Sequence, residues 1–184
     1  MDRERIKKAV VEILLAIGED PQRSGLEETP DRVARMYEDI FGGEKENIAE
    51  VLGKVHELEH DEMVIVKDIN FYSMCEHHMV PFFGVCHIGY IPDSKRIVGI
   101  SKLARIVEIY SKRLQVQEHF TTEIADAIME HVRPKGVGVV VKARHLCMEM
   151  RGVRKPGAST ITSVVRGTFR SDLRTREEFL KLIE

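Results

Sequence analysis

The chain has 184 residues, 43% hydrophobic and 32% charged, with a formal net charge of −2. That balance suits a globular domain with a real core and excludes a disordered chain. No apolar run approaches the roughly 20 residues needed to span a bilayer. The total hides a split: residues 1–62 carry 9 basic and 17 acidic side chains, net −8, and residues 63–184 carry 19 and 13, net +6. The basic part suggests an anionic ligand. The opening Asp2-Arg3-Glu4-Arg5 has no signal-peptide pattern, and Cys75, Cys86 and Cys147 make no disulfide framework. A cytoplasmic protein with reduced thiols is expected.

Ile6, Val10, Ile13, Leu14 and Ile17 recur at helical spacing, which predicts a helix over 3–17 ending near Gly18. Asp20 to Gly25 reads as a loop. Thr29-Pro30-Asp31 then reads as a capped helix start, with Val33, Met36, Tyr37, Ile40 and Phe41 as its stripe and Gly42-Gly43 as its stop. A short helical turn is expected at Ile48 to Leu52, and the acidic stretch His56 to Glu62 marks a boundary. Strands are predicted at 63–71, Phe83 to Ile91 and Arg96 to Ile100, with a polar break at Ser73 to His78 and a turn at Pro92-Asp93-Ser94. Ser101 reads as the cap of a helix carrying Leu103, Ile106, Val107 and Tyr110, and a further helix runs from Gln117 to Val132. Strands at Val137 to His145 and Ser159 to Phe169 follow. A capping box at Thr175 opens a last helix with Phe179, Leu182 and Ile183.

Strand pairs joined by short turns, with helices grouped between them, predict an α+β fold built on an antiparallel sheet. Residues 1–62 read as an N-terminal helical region and residues 63–184 as the sheet-bearing part, one compact unit overall. No glycine-rich phosphate loop follows a strand, so neither a dinucleotide-binding fingerprint nor a P-loop is present.

Two clusters carry chemistry. In Cys75-Glu76-His77-His78, the first and last residues are spaced to share a metal on one side of a tight turn, while His77 points elsewhere. In His145-Leu146-Cys147, the outer two share one face if the strand continues. A Cys2His set suits zinc, and three protein ligands with one open position is the catalytic pattern. Cys86 reads as a core residue; as a fourth ligand it would make the site structural. His77 and His145 are then free for proton transfer near neutral pH. Basic residues flank both clusters, Lys95 among them, and Ser101-Lys102-x-x-Arg105 and Arg151 suit phosphate. Nucleic acid is a weaker reading, since the chain has no Trp and only 6% aromatics. Gln117-Glu118 opens a helix, where the acid either answers the helix dipole or accepts two hydrogen bonds from a guanine edge.

Four separated motifs, Cys75-Glu76-His77-His78, Gly99 to Arg105, Gln115 to Glu118, and His145-Leu146-Cys147 with Arg151-Gly152, resemble the GTP cyclohydrolase I family, and the likeness runs from Glu28 to Phe179. The resemblance implies the tunnelling fold (T-fold), an antiparallel sheet with helices packed on one face. It implies hydrolysis of GTP to 7,8-dihydroneopterin triphosphate and formate. Zn2+ would sit on Cys75, His78 and Cys147. His145 would protonate N7, His77 would assist later proton transfers, Glu118 would clamp guanine with Gln117 beside it, and Ser101, Lys102, Arg105 and Arg151 would bind the triphosphate. It further implies a homodecamer, a dimer of pentamers, with active sites at subunit interfaces. His119 stands where the family pattern leads one to expect Arg. Two other readings remain at this point: a tunnelling-fold relative such as the nitrile reductase, which needs a metal-free nucleophilic Cys, and a nucleotide-binding protein with a structural zinc.

Overall fold

The computed structural model describes residues 1–53, 55–93 and 96–184; Ser94 and Lys95 of the sequence reading lie outside the described residues. By packing, the chain divides into Met1–Gly42 and Gly43–Glu184.

In the first unit, α1 (Arg3–Ala16) packs on α2 (Thr29–Ile40). Asp2 caps α1 by accepting the Arg5 N–H at 3.0 Å. Val10 and Leu14 are buried with Pro30 and Ala34, whereas Ile13 and Ile17 of the expected stripe are exposed. The ion pairs Arg3–Glu38 and Lys7–Asp31 join the two helices. Thr29 is not the cap of α2. Glu28 holds that position, and the Thr29 hydroxyl donates back to the Gly25 carbonyl.

The second unit begins with a 3-10 turn at Gly43–Lys45 and α3 (Ile48–Leu52), which Asn47 caps. There follow β1 (Val55–Glu57), β2 (Val64–Cys75), β3 (Pro81–Ile91), β4 (Arg96–Val98), α4 (Ile100–Ser111), β5 (Leu114–Gln115), α5 (Gln117–His131), β6 (Gly136–His145), α6 (Leu146–Glu149), β7 (Ser159–Gly167), α7 (Thr168–Ser171) and α8 (Leu173–Ile183). The main sheet has the order β5-β2-β3-β6-β7, antiparallel except for the short parallel pair β5–β2; β1 and β4 form a separate two-stranded ladder. The expected break at Ser73 lies inside β2: Ser73 and Met74 are buried and pair with Phe82 and Pro81, so the ladder outweighs local polarity. Two caps also move. Gly99 precedes α4 with no side-chain bond from Ser101, and Asp172, not Thr175, caps α8 by accepting the Arg174 N–H.

One sheet face carries the main core. Phe71, Phe82, Cys86, Ile88, Tyr90, Val137, Val139 and Val141 meet Leu103, Ile106 and Val107 of α4 and Phe120, Ile124 and Ile128 of α5. On the opposite face α8 covers one end: a Cβ at Gly89 or Gly138, which pair across β3 and β6, would come within 2.8 Å or 3.0 Å of the Phe179 ring. Small residues there make the notch that Phe179 fills. Farther along that face Tyr72 and Ile161 are exposed.

His87 lies on that second face, only 7% exposed, and its Nδ1 accepts the Asp68 backbone N–H at 3.2 Å where β2 bulges. Burial holds its pKa below the usual histidine value, helped by Lys67 and Lys142 and opposed by Asp68. The folded chain therefore keeps His87 neutral, while the unfolded chain takes up a proton as pH falls through about 6.5. Its contribution is present above that pH and lost below it. Melting curves between about pH 7.5 and 5.5 should show a drop in Tm that His87→Gln reduces; an undiminished drop contradicts this.

Candidate metal centre and active site

The register of the sheet assembles the site. β2 and β3 are joined by a turn over residues 76–80, and β6 runs antiparallel to β3 so that His145 pairs with Phe82. The start of β3 and the end of β6 therefore meet, and Cys75 and Cys147, 72 positions apart in the chain, come together. The turn is held tightly. The Cys75 carbonyl accepts from the Met79 N–H at 2.8 Å, the Cys75 N–H donates to Val80, and the Glu76 N–H donates to Gln115 of β5. Met79 takes the left-handed conformation needed to reverse the chain, with φ of 52°.

Cys147 does not continue the strand. β6 ends at His145, and Cys147 sits in α6, the four-residue helix that follows. The α6 turn is clamped by Arg144, which grips Glu149 with both guanidinium ends at 2.7 and 2.5 Å and lies over the Phe83 ring. This turn brings Cys147 to the turn over 76–80. The Cys75 and Cys147 sulfurs and a His78 ring nitrogen all lie within 4.8 Å of one another. Cys75 Sγ and His78 Nδ1 are 3.8 Å apart. Two such donors on a tetrahedral zinc stand roughly 3.5 Å apart, so the set fits with a small contraction. Burial, and secondarily the Cys75 sulfur, push the Cys147 thiol up; a divalent cation would supply the opposing field. Among the described residues no other such group occurs.

Cys86 is not part of it. It is fully buried in the core, with its thiol pushed well up by burial alone. Cys86→Ser should leave metal content unchanged by atomic absorption; loss of the metal would make it a ligand.

Around the triad the residues differ in setting. Arg151 Nη1 stands 2.8 Å from His78 Nε2. Arginine only donates, so this contact needs a bare Nε2. His77 is exposed, near Glu76. His145 is half-buried and stacks parallel on Phe82 with ring centroids 4.8 Å apart. Burial lowers its pKa, partly offset by the Glu118 carboxylate in the first turn of α5. Gln117 departs from the sequence expectation: its side chain is 1% exposed and turned into the protein, with Oε1 2.7 Å from His145 Nε2. Lys102 and Arg105 line a different space, a cavity of about 650 Å³ shared with Glu46, Asn47, Glu50 and Val51. None of the triad lines it. Ser101 is exposed at the start of α4. The sequence reading assigns no role to Phe82, whose signal is the cross-strand register that pairs it with His145, and counts Arg144 only among the basic residues beside the second cluster.

Comparison with known proteins bears on these groups. The family model described as GTP cyclohydrolase I matches residues 6–184. The GTP cyclohydrolase 1 of Thermoanaerobacter pseudethanolicus is 60% identical over 183 residues, covering 100% of this chain and 97% of that relative. That of Thermobifida fusca is 60% identical over 184 residues, covering 100% of this chain and 89% of the relative. A crystal structure of the archaeosine synthase QueF-Like in the apo form shares the fold, with a TM-score of 0.50 at 18% identity, over 59% of this chain and 97% of that one.

Proposed function

The chain belongs to the GTP cyclohydrolase I family, and from that membership we propose how its own residues carry the reaction. The protein hydrolyses GTP to 7,8-dihydroneopterin triphosphate and formate, the first step of pterin biosynthesis. Its fold is the α+β tunnelling fold.

Cys75, His78 and Cys147 would hold zinc on this reading; the convergence of their three donor atoms within 4.8 Å is the observation that carries it. Bound there, the ion supplies Lewis acidity and a water acidified toward neutral pH. His145 passes a proton to N7 as water adds at C8 of guanine, and takes up the proton that the water loses. His77, exposed in the turn over 76–80, serves later proton transfers as the imidazole ring opens and formate leaves. Glu118 accepts two N–H bonds from the guanine edge; its charge already acts on His145, so base and acid share one space. With His78 ligating through Nδ1, its Nε2 carries the proton, and two donors then face each other. Arg151, which now stands against Nε2, would then be free to bind the triphosphate.

Ser101, Lys102 and Arg105 bind the rest of the triphosphate. Because Lys102 and Arg105 line a cavity separate from the triad, they serve an active site completed across a subunit interface in a homodecamer, a dimer of pentamers. The protein works in the cytoplasm. Among the described residues no helix is long and apolar enough to cross a membrane.

The test uses zinc-loaded and chelator-stripped protein with GTP, measuring formate and the fluorescent pterin formed on oxidation. Product from the loaded form alone is expected. No product with zinc confirmed bound, or full turnover after stripping, overturns the zinc reading.

A further inference from the structure

We propose that Gln117 is a positioning residue that locks His145 in one tautomer, with the proton on Nε2 and Nδ1 left for the substrate. This rests on the reading of His145 as the proton donor to N7.

The hydrogen-bond network leaves little freedom. Gln117 Nε2 lies 3.0 Å from the Val141 carbonyl, 3.1 Å from the Thr160 carbonyl and 3.1 Å from Thr162 Oγ1. Two of these are carbonyl oxygens, which only accept, so the amide nitrogen must face them. The third is also oriented. Thr121 Oγ1 donates to the Gln117 carbonyl at 2.7 Å, so at its 2.6 Å contact with Thr162 it must accept. Thr162 therefore spends its hydrogen on Thr121 and presents a lone pair to Gln117. The amide cannot turn over without setting Oε1 against two carbonyls in a buried site and leaving those carbonyls unpaired.

With the nitrogen so placed, Oε1 faces His145 Nε2 at 2.7 Å. Oε1 has no hydrogen, so Nε2 must carry one. Phe82, stacked 1° from parallel, fixes the plane of the ring. Nδ1 has no hydrogen-bond partner among the described residues; on neutral His145 it carries a lone pair, so it takes up the proton that the adding water loses and passes that proton to N7. Buried carboxylates and carbonyls set histidine tautomers in this way in other sites; here a glutamine anchored across α5, β6 and β7 does so.

The experiment is a double-mutant cycle with kcat and KM for GTP, zinc content, and 15N solid-state NMR of histidine-labelled protein. Gln117→Leu should lower kcat on the order of 10–100-fold with zinc retained and KM little changed. In a His145→Ala background the same change should cost nothing further. The NMR should show neutral His145 protonated at Nε2 in the native protein and a mixture of tautomers in Gln117→Leu. A rise in KM with kcat preserved, additive losses in the double variant, or an unchanged tautomer would overturn the proposal. Full kcat in His145→Ala would instead overturn the catalytic reading of His145, with the NMR still judging the lock. If Gln117→Leu does not fold, Gln117→Asn keeps the amide but is one methylene too short for His145, and the same outcomes apply.

Discussion

Cys147→Ser should remove zinc and turnover together. Cys147 is one of three donors within 4.8 Å, so its loss leaves two ligands for an ion that usually takes at least three from the protein. A serine hydroxyl is not deprotonated near neutral pH and does not replace a thiolate. The Lewis-acid contribution of the metal is several kcal/mol, which corresponds to a loss of roughly 10³-fold or more in kcat. Folding should be preserved, because Cys147 is only partly buried and α6 is held by the Arg144–Glu149 pair. Metal analysis beside the GTP assay checks this. Normal zinc content in the variant removes Cys147 from the ligand set.

His145→Ala should separate the two properties. The variant should keep zinc, because the converging donors do not include His145, and should lose about 10²–10⁴-fold in kcat, the range of a single general acid. Its stacking on Phe82 and bond to Gln117 are lost as well, so Tm should be compared to separate misfolding from lost chemistry. Loss of zinc would make His145 a ligand, and unchanged turnover would exclude it as proton donor.

Much of this site was legible in the chain. Cys75 and His78 three residues apart, and Cys147 in the second cluster, pointed to the three side chains whose donor atoms lie within 4.8 Å of one another. The route by which they meet was not local. Cys147 reaches the site through the α6 turn after the strand has ended, and only the Phe82–His145 register brings β6 against the turn over 76–80. The helices and strands followed hydrophobic period well, whereas the caps at Thr29, Ser101 and Thr175 were misplaced by one to three positions, because several polar residues compete at each helix start. Gln117 was read as a guanine neighbour beside Glu118. Adjacent residues on a helix point about 100° apart, and here one turns inward to β6 and β7 while the other stays exposed. The change in composition near residue 62 and the division in packing at Gly42 are also separate boundaries: Leu52 belongs to the core of the second unit. The −8 and +6 split is a property of composition, and it left the metal unannounced.

A zinc ion held by two thiolates and one imidazole, with one position open to solvent, has a distinctive shell of neighbours. X-ray absorption at the zinc edge of the GTP-free protein measures that directly. Two sulfurs at about 2.3 Å with two lighter atoms at about 2.0–2.1 Å is the predicted shell. Three sulfurs, which would bring in Cys86, or a shell without sulfur, would contradict it.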